Sequence, residues 1–372
     1  MTKPKVRKIP VYKPDLSGNE KAYVDQCLDS TWISSKGEFI ERFESGFADY
    51  TGIPHAAAVT NGTVALHVAL VALGIEPGDE VIVPALTYIA SVNAILYVGA
   101  TPVFVDSDPK TWQMDPADIK RKVTPRTKAI MVVHLYGQAC DMDAIGKLAK
   151  KYKLLVIEDC AEAIGTRWKG QHVGTFGDIA TFSFFGNKTI TCGEGGMVMS
   201  TKKPLVDLSR RLKGQGLAVG REYWHDLVGY NYRLTNTCAA IGVAQLERVN
   251  ELVAAKRRLS ESYRRLLKRP DIEWHEEQPD STHSYWMITM LVKDGSLREG
   301  LREFLADKGI ETRPIFPPIH IMPMHGGKLE EFPVAADLSA RGFNLPSWPG
   351  LEDDDVAYIT GHINGYLSTH GG

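Results

Sequence analysis

Short, nearly continuous apolar runs separated by amphipathic stretches fill the middle of the chain. Residues 80–85 (EVIVPA), 102–106 (PVFVD), 129–135 (AIMVVHL) and 154–158 (LLVIE) are of this kind. Runs so short and without alternation predict strands buried on both faces. Between the last two, residues 142–152 put Ile145, Leu148 and Tyr152 on one side of a helix, with Asp141 or Asp143 as its cap. Strand, helix, strand predicts a parallel pair joined by a right-handed crossover. The expected class is therefore α/β, with a sheet covered on both sides.

Residues 236–268 carry a longer helical pattern: Leu246, Val249, Val253, Leu259, Tyr263 and Leu266 form its apolar side, and Pro270 ends it. A strand at 285–292, a helix at 297–308 and a Pro-rich loop at 314–324 follow. The pattern divides the chain into a large domain, 1–250, and a small C-terminal domain, 251–372. The basic end of the long helix (Lys256 to Arg269) reads as a solvated face or as an anion site.

Composition narrows the function. Lys plus Arg is 43 and Asp plus Glu is 45 among 372 residues, so no overall charge favours nucleic acid or an anionic membrane. No apolar stretch approaches the ~18 residues of a membrane span, and the basic N-terminus lacks the apolar core of a secretory signal. Five scattered cysteines without a CxxC pair imply neither a disulfide framework nor a zinc site, and no metal is expected. A reducing cytoplasm is the expected compartment. P-loop, HExxH and GxGxxG spacings are absent.

Three features could carry chemistry. Thr60-Asn61-Gly62-Thr63 opens a helix, where free N–H groups and a hydroxyl can cradle a phosphate; alternatively Asn61 simply caps the helix. Asp159 follows LLVIE, at the strand end where α/β proteins bind ligands, although Asp also commonly ends a strand. Lys188 follows an apolar strand through Phe184 and precedes the turn Gly193-Glu194-Gly195-Gly196; it reads as a reactive amine or as a surface lysine. Together they fit pyridoxal 5′-phosphate (PLP), which needs a lysine for its aldehyde, a carboxylate for its ring nitrogen and a cradle for its phosphate.

These residues lie in runs that resemble the DegT/DnrJ/EryC1/StrS family of sugar aminotransferases. The resemblance spans TWISSKGEFIERFE, TNGTVALHVAL, GDEVIVPALTYIAS, HLYGQACDMDAI, VIEDCAEAIG, ATFSFFGNKTITCGEGGM, VGYNYRLTNTCAAIGVAQLER and ETRPIFPPIHIMP. It implies the type I PLP-dependent transferase (aspartate-aminotransferase-like) fold, a large mixed-sheet α/β domain plus a small C-terminal α+β domain. It makes Lys188 the Schiff-base lysine and proton shuttle and Asp159 the partner of the pyridinium nitrogen. Tyr88 would stack on the ring, and Gly62, Thr63 and Ser183 would hold the phosphate. Glu162 would lie near the ring hydroxyl and the substrate. Asn231 would reach the phosphate from the neighbouring subunit, which implies a homodimer with shared active sites. Trp32, Arg221 and His320 lie in segments that border the sugar nucleotide.

The implied reaction moves an amino group from glutamate to a nucleotide-linked 4-keto-6-deoxy sugar. HLYGQACDMD, SFFGNK and GQG followed by REYW resemble one subgroup of the family, and that resemblance implies GDP-4-keto-6-deoxymannose as acceptor; a UDP- or dTDP-linked keto sugar is the alternative. A PLP-dependent sugar dehydratase of this fold carries histidine in place of the lysine, and a non-catalytic binding protein has no use for both Lys188 and Asp159. Cys160 and Cys192 stand where Ala and Thr are expected, and Cys192 raises a persulfide activity as a remote option.

Overall fold

A computed structural model describes residues 7–371. Seven strands form the main sheet: β1 (His55–Val59), β2 (Glu80–Pro84), β3 (Thr101–Val105), β4 (Thr127–Val133), β5 (Leu155–Asp159), β6 (Ile179–Ser183) and β7 (Gly196–Ser200). Their order is β1-β7-β6-β5-β4-β2-β3. From β6 to β3 the neighbours are parallel, whereas β7 runs antiparallel to both β6 and β1. The sheet is thus mixed, and β4 and β5 form the parallel pair that the crossover pattern predicts.

Every residue of β2, β6 and β7 is buried, because helices cover both faces. On one face Phe39, Phe43 and Phe47 of the helix Glu38–Thr51 meet Phe182 and Phe184. Phe47 makes edge-on contacts with Phe182 and Phe184, centroids 4.9 and 5.1 Å away, a favoured aromatic geometry. On the other face α1 (Gly62–Ala72) and α2 (Ile89–Tyr97) pack on the strands. The crossover helix α3 (Met142–Tyr152) is capped by Asp141, whose carboxylate accepts the Ala144 N–H.

The long helical pattern is interrupted. It forms α4 (Asn236–Glu247) and α5 (Val249–Leu266), separated at Arg248, whose φ of −110° and ψ of 5° leave the helical basin. There is no Pro or Gly at the break. There the Arg248 guanidinium meets Glu251, one turn on, at 2.8 Å and the distant Asp15 at 3.1 Å, a long-range contact that a periodicity cannot show.

The C-terminal part is built on β8 (Ile272–Glu273), β9 (Ile288–Val292), β10 (Arg313–Pro314) and β11 (Gly342–Leu345), in the order β8-β9-β11-β10. Its core includes Leu259 and Tyr263 of α5 and also Ile9 from the N-terminal segment. That segment lies along the C-terminal part: Ile9 N–H donates to Gly309, and Val11 C=O accepts from Ser347 N–H. A separate cluster of Ala85, Leu86, Tyr136, Trp286, Ile315 and Phe332 joins the two sheets. No helix among the described residues is long and apolar enough to cross a membrane.

Candidate active site

At the C-terminal ends of β5 and β6 lies a cavity of about 540 Å³. Gly62, Thr63, Tyr88, Asp159, Glu162, Ser183 and Lys188 all line it. Parallel strands β4, β5 and β6 deliver their following turns to one edge of the sheet, so residues distant in sequence converge there.

Asp159 is the last residue of β5. One carboxylate oxygen accepts the Ser91 hydroxyl at 2.8 Å and the other the Ala161 N–H at 3.1 Å. Burial raises its pKa, and those two hydrogen bonds and the Lys188 charge oppose the rise. Glu162 sits in the turn that follows, where its carboxylate accepts the Tyr136 N–H at 2.8 Å. Burial pushes its pKa up to about 7.

Lys188 closes a turn after β6, its N–H donating to Phe185 C=O at 2.9 Å. Its side chain is only 12% exposed, and Nζ lies 3.8 Å from a Glu162 oxygen. The Trp286 ring covers it, with the centroid 3.9 Å from Nζ. Burial lowers the Lys188 pKa, while Glu162 and Asp159 pull it back up. The indole N–H of Trp286 donates to Asn187 C=O at 2.7 Å, and the Tyr12 hydroxyl donates to Lys188 C=O.

The third wall is the start of α1. Asn61 caps it, its side chain accepting the Val64 N–H at 3.0 Å. As the first two helical residues, Gly62 and Thr63 have no acceptor for their N–H groups within the helix. Capping therefore leaves these two N–H groups available to an anion. A Cβ on Gly62 would lie 2.8 Å from the Ser183 Cβ, so glycine is what lets the helix start and β6 meet. One on Gly196 would lie 2.4 Å from Asn61 C=O, which fixes the glycine-rich turn against the same helix start. Tyr88 precedes α2 and is half exposed, its ring 5.6 Å from that of Phe316.

Four expected site residues lie elsewhere in this chain. Asn231 is exposed, and its side-chain oxygen accepts from the Arg233 guanidinium at 2.9 Å. Arg221 is exposed with its guanidinium 3.6 Å from the Trp224 ring centroid. Trp32 lines a different cavity, about 780 Å³, beside Lys36 and Asn236. His320 is buried; its Nε2–H donates to Lys328 C=O at 2.9 Å.

Other lining residues were not singled out from the sequence. Ser91 ends the run GDEVIVPALTYIAS and Phe316 falls within ETRPIFPPIHIMP, so a signal existed for both. Trp286 stands outside the quoted runs and reaches the cavity only through tertiary packing. Cys160 and Cys192 are buried, and burial holds both thiols far above their ordinary pKa, which removes the thiolate a persulfide chemistry needs. Among the described residues His134, Glu158 and Cys160 have metal-like spacing. Glu158 is already engaged, by His134 Nε2 at 3.0 Å and the Gly174 N–H at 2.7 Å.

A buried amine sharing a cavity with two buried carboxylates and a helix start with free N–H groups, on a mixed α/β sheet, is the layout of an amino-group transferase. The chain belongs to the DegT/DnrJ/EryC1/StrS aminotransferase family, whose model matches residues 14–364. It is 58% identical to GDP-perosamine synthase of Escherichia coli O157:H7, over 97% of this chain and 99% of that one. It is 52% identical to GDP-perosamine synthase of Vibrio cholerae, again over 97% and 99%. Among solved structures it is similar to the PLP form of Spr1654 from Streptococcus pneumoniae. There the TM-score is 0.93 at 27% identity, covering 98% of this chain and 99% of that one. The fold is the type I PLP-dependent transferase fold.

Proposed function

We propose that the protein is a PLP-dependent aminotransferase that transfers the amino group of glutamate to GDP-4-keto-6-deoxymannose, giving GDP-perosamine. The carrying observation is Lys188 Nζ, enclosed by Glu162 and Trp286 in the cavity that also holds Asp159 and the start of α1. The donor set suits the cofactor: an amine for the aldehyde, a buried carboxylate for the pyridine nitrogen, and a cradle that a Cβ on Gly62 would fill. When bound, PLP supplies an electron sink for the carbon that loses a proton.

The chain's own groups do the rest. The Gly62 and Thr63 N–H groups and the Ser183 hydroxyl hold the phosphate. Asp159, ionised against the ring nitrogen, keeps a proton there. Tyr88 supplies an aromatic face. Lys188 would hold the cofactor through its aldehyde group, with loss of water. Once freed, and with its pKa lowered by burial, its neutral Nζ takes the proton from Cα of glutamate. In the second half it delivers a proton to the sugar carbon that receives nitrogen. Glu162, fixed by Tyr136, holds or releases a proton near neutrality beside that amine.

The names of the relatives at 58% and 52% identity support the GDP-linked acceptor. The same reading makes the protein a homodimer in which Asn231 enters the partner's site, and the five free cysteines suit a reducing cytoplasm. The test is to incubate PLP-loaded protein with glutamate and GDP-4-keto-6-deoxymannose and to follow the aminated sugar by mass spectrometry and 2-oxoglutarate enzymatically. UDP- and dTDP-linked keto sugars run alongside. Turnover of those but not of the GDP sugar overturns the acceptor and leaves transamination standing.

A further inference from the structure

We propose that Lys256 is a positioning residue for Lys188 and acts through Trp286. The inference rests on the reading of Lys188 as the reactive amine. Lys256 lies on α5 and is fully buried. Its Nζ donates to Trp286 C=O at 2.7 Å, to Ser347 C=O, and to the Ser347 hydroxyl at 3.5 Å. Three acceptors match the three protons of an ammonium. No carboxylate pairs with it among the described residues.

Stability alone is a poor account of such a group. A buried charge without a countercharge is costly, and a well-packed apolar residue often serves the fold as well or better. Burial draws the Lys256 pKa down to about 7, which expresses the same cost. The contacts give another reason. Trp286 sits in an irregular segment before β9, just after Tyr285, whose φ of +52° is in the left-handed region that a bulky residue rarely occupies. Its indole has to stand over Lys188 Nζ and bond Asn187 C=O. Lys256 pins the backbone carbonyl of that tryptophan. Its ammonium also lies 5.2 Å from the centroid of Tyr12, whose hydroxyl bonds Lys188 C=O. Of the two aromatic residues that fasten the peptide at Lys188, Trp286 is the one hydrogen-bonded to Lys256.

The experiment uses Lys256→Met, which keeps the length and removes the donors, with Lys256→Gln in its place should the first not yield folded protein. The cofactor-free chain is labelled with an amine-acylating reagent and mapped by peptide mass, with exposed Lys203 as internal reference. With the tryptophan unpinned, labelling at Lys188 rises several-fold and labelling at Lys203 stays the same. In the loaded enzyme kcat falls by about 10-fold with KM for glutamate unchanged, the size of effect expected from a slight misplacement. Adding K256M to Trp286→Leu has no further effect if the lysine acts through the tryptophan. Wild-type labelling and kcat in a folded variant overturn the proposal, and so does an additive double variant. Borohydride reduction of the loaded protein tests the reading of Lys188 separately: label elsewhere than Lys188 refutes that reading, while the cofactor-free labelling still decides on Lys256.

Discussion

Three buried ionisable side chains, Asp159, Glu162 and Lys188, line the cavity, and burial pushes each toward its neutral form. That gives the cofactor-free protein a definite pH response. Glu162 has an ordinary value of 4.5 and a folded value of about 7. Between the two the folded state holds the proton more tightly than the unfolded chain, so this group's contribution to stability falls as pH rises through that window. E162Q should flatten the fall, by an amount on the order of 2 kcal/mol across the window. Urea denaturation at pH 4.5, 6 and 7.5 measures it, and a parallel decline in wild type and variant would refute the assignment. K188A should reduce turnover by at least about 10³-fold by removing the amine that moves protons. D159N should cost about 10²–10³-fold, as the loss of one preorganised charge does; near-wild-type kcat in either would sink the proposed roles. Lys188 and Asp159 were legible because a reactive group placed directly after an apolar strand occupies the active edge of a parallel sheet. Trp286 and Lys256 were not. A buried tryptophan looks like core, and Lys256 hides within a run of basic residues that reads as a solvated face.

At the scale of elements, the start of α1 serves two ends. The Asn61 cap satisfies one N–H and leaves those of Gly62 and Thr63 for an anion. N61A should lower stability by about 1 kcal/mol, the usual value of a cap, as read from the thermal midpoint. Gly62→Ala should act differently: a methyl group 2.8 Å from the Ser183 Cβ forces β6 and α1 apart and weakens PLP binding. Equilibrium dialysis of PLP against G62A checks this, and an unchanged Kd would rule out the cradle. Strands β2 to β5 and the crossover helix could be read within a residue or two from apolar runs, because burial on both faces leaves a plain composition signal; β1 and β7 were not read. The break between α4 and α5 could not. It coincides with the pairing of Arg248 with Asp15, more than two hundred positions away, and the apolar period runs through it undisturbed.

For the whole molecule, the expected shared site makes a sharper prediction than any single substitution. If Asn231 crosses to the neighbour, a mixed dimer of K188A and N231A chains has one site with both native residues. Random reassociation of two such inactive populations should then recover about a quarter of wild-type activity. Activity no greater than the sum of the separate variants would place Asn231 outside the partner's site. Asn231 stands away from the cavity of its own chain, as a residue serving a neighbour's site would, and the periodicity of one chain does not reveal such a role. The fastening of Lys188 also has a consequence for synthesis. The peptide at Lys188 is held by Tyr12, which leaves the ribosome before it, and by Trp286, which leaves about a hundred residues after it; Lys256 in turn needs Ser347, later still. A nascent chain can form most of the main sheet while its reactive amine is still uncovered. The site is finished only once Ser347 has emerged, so a chain truncated before Ser347 would carry the lysine without its cover.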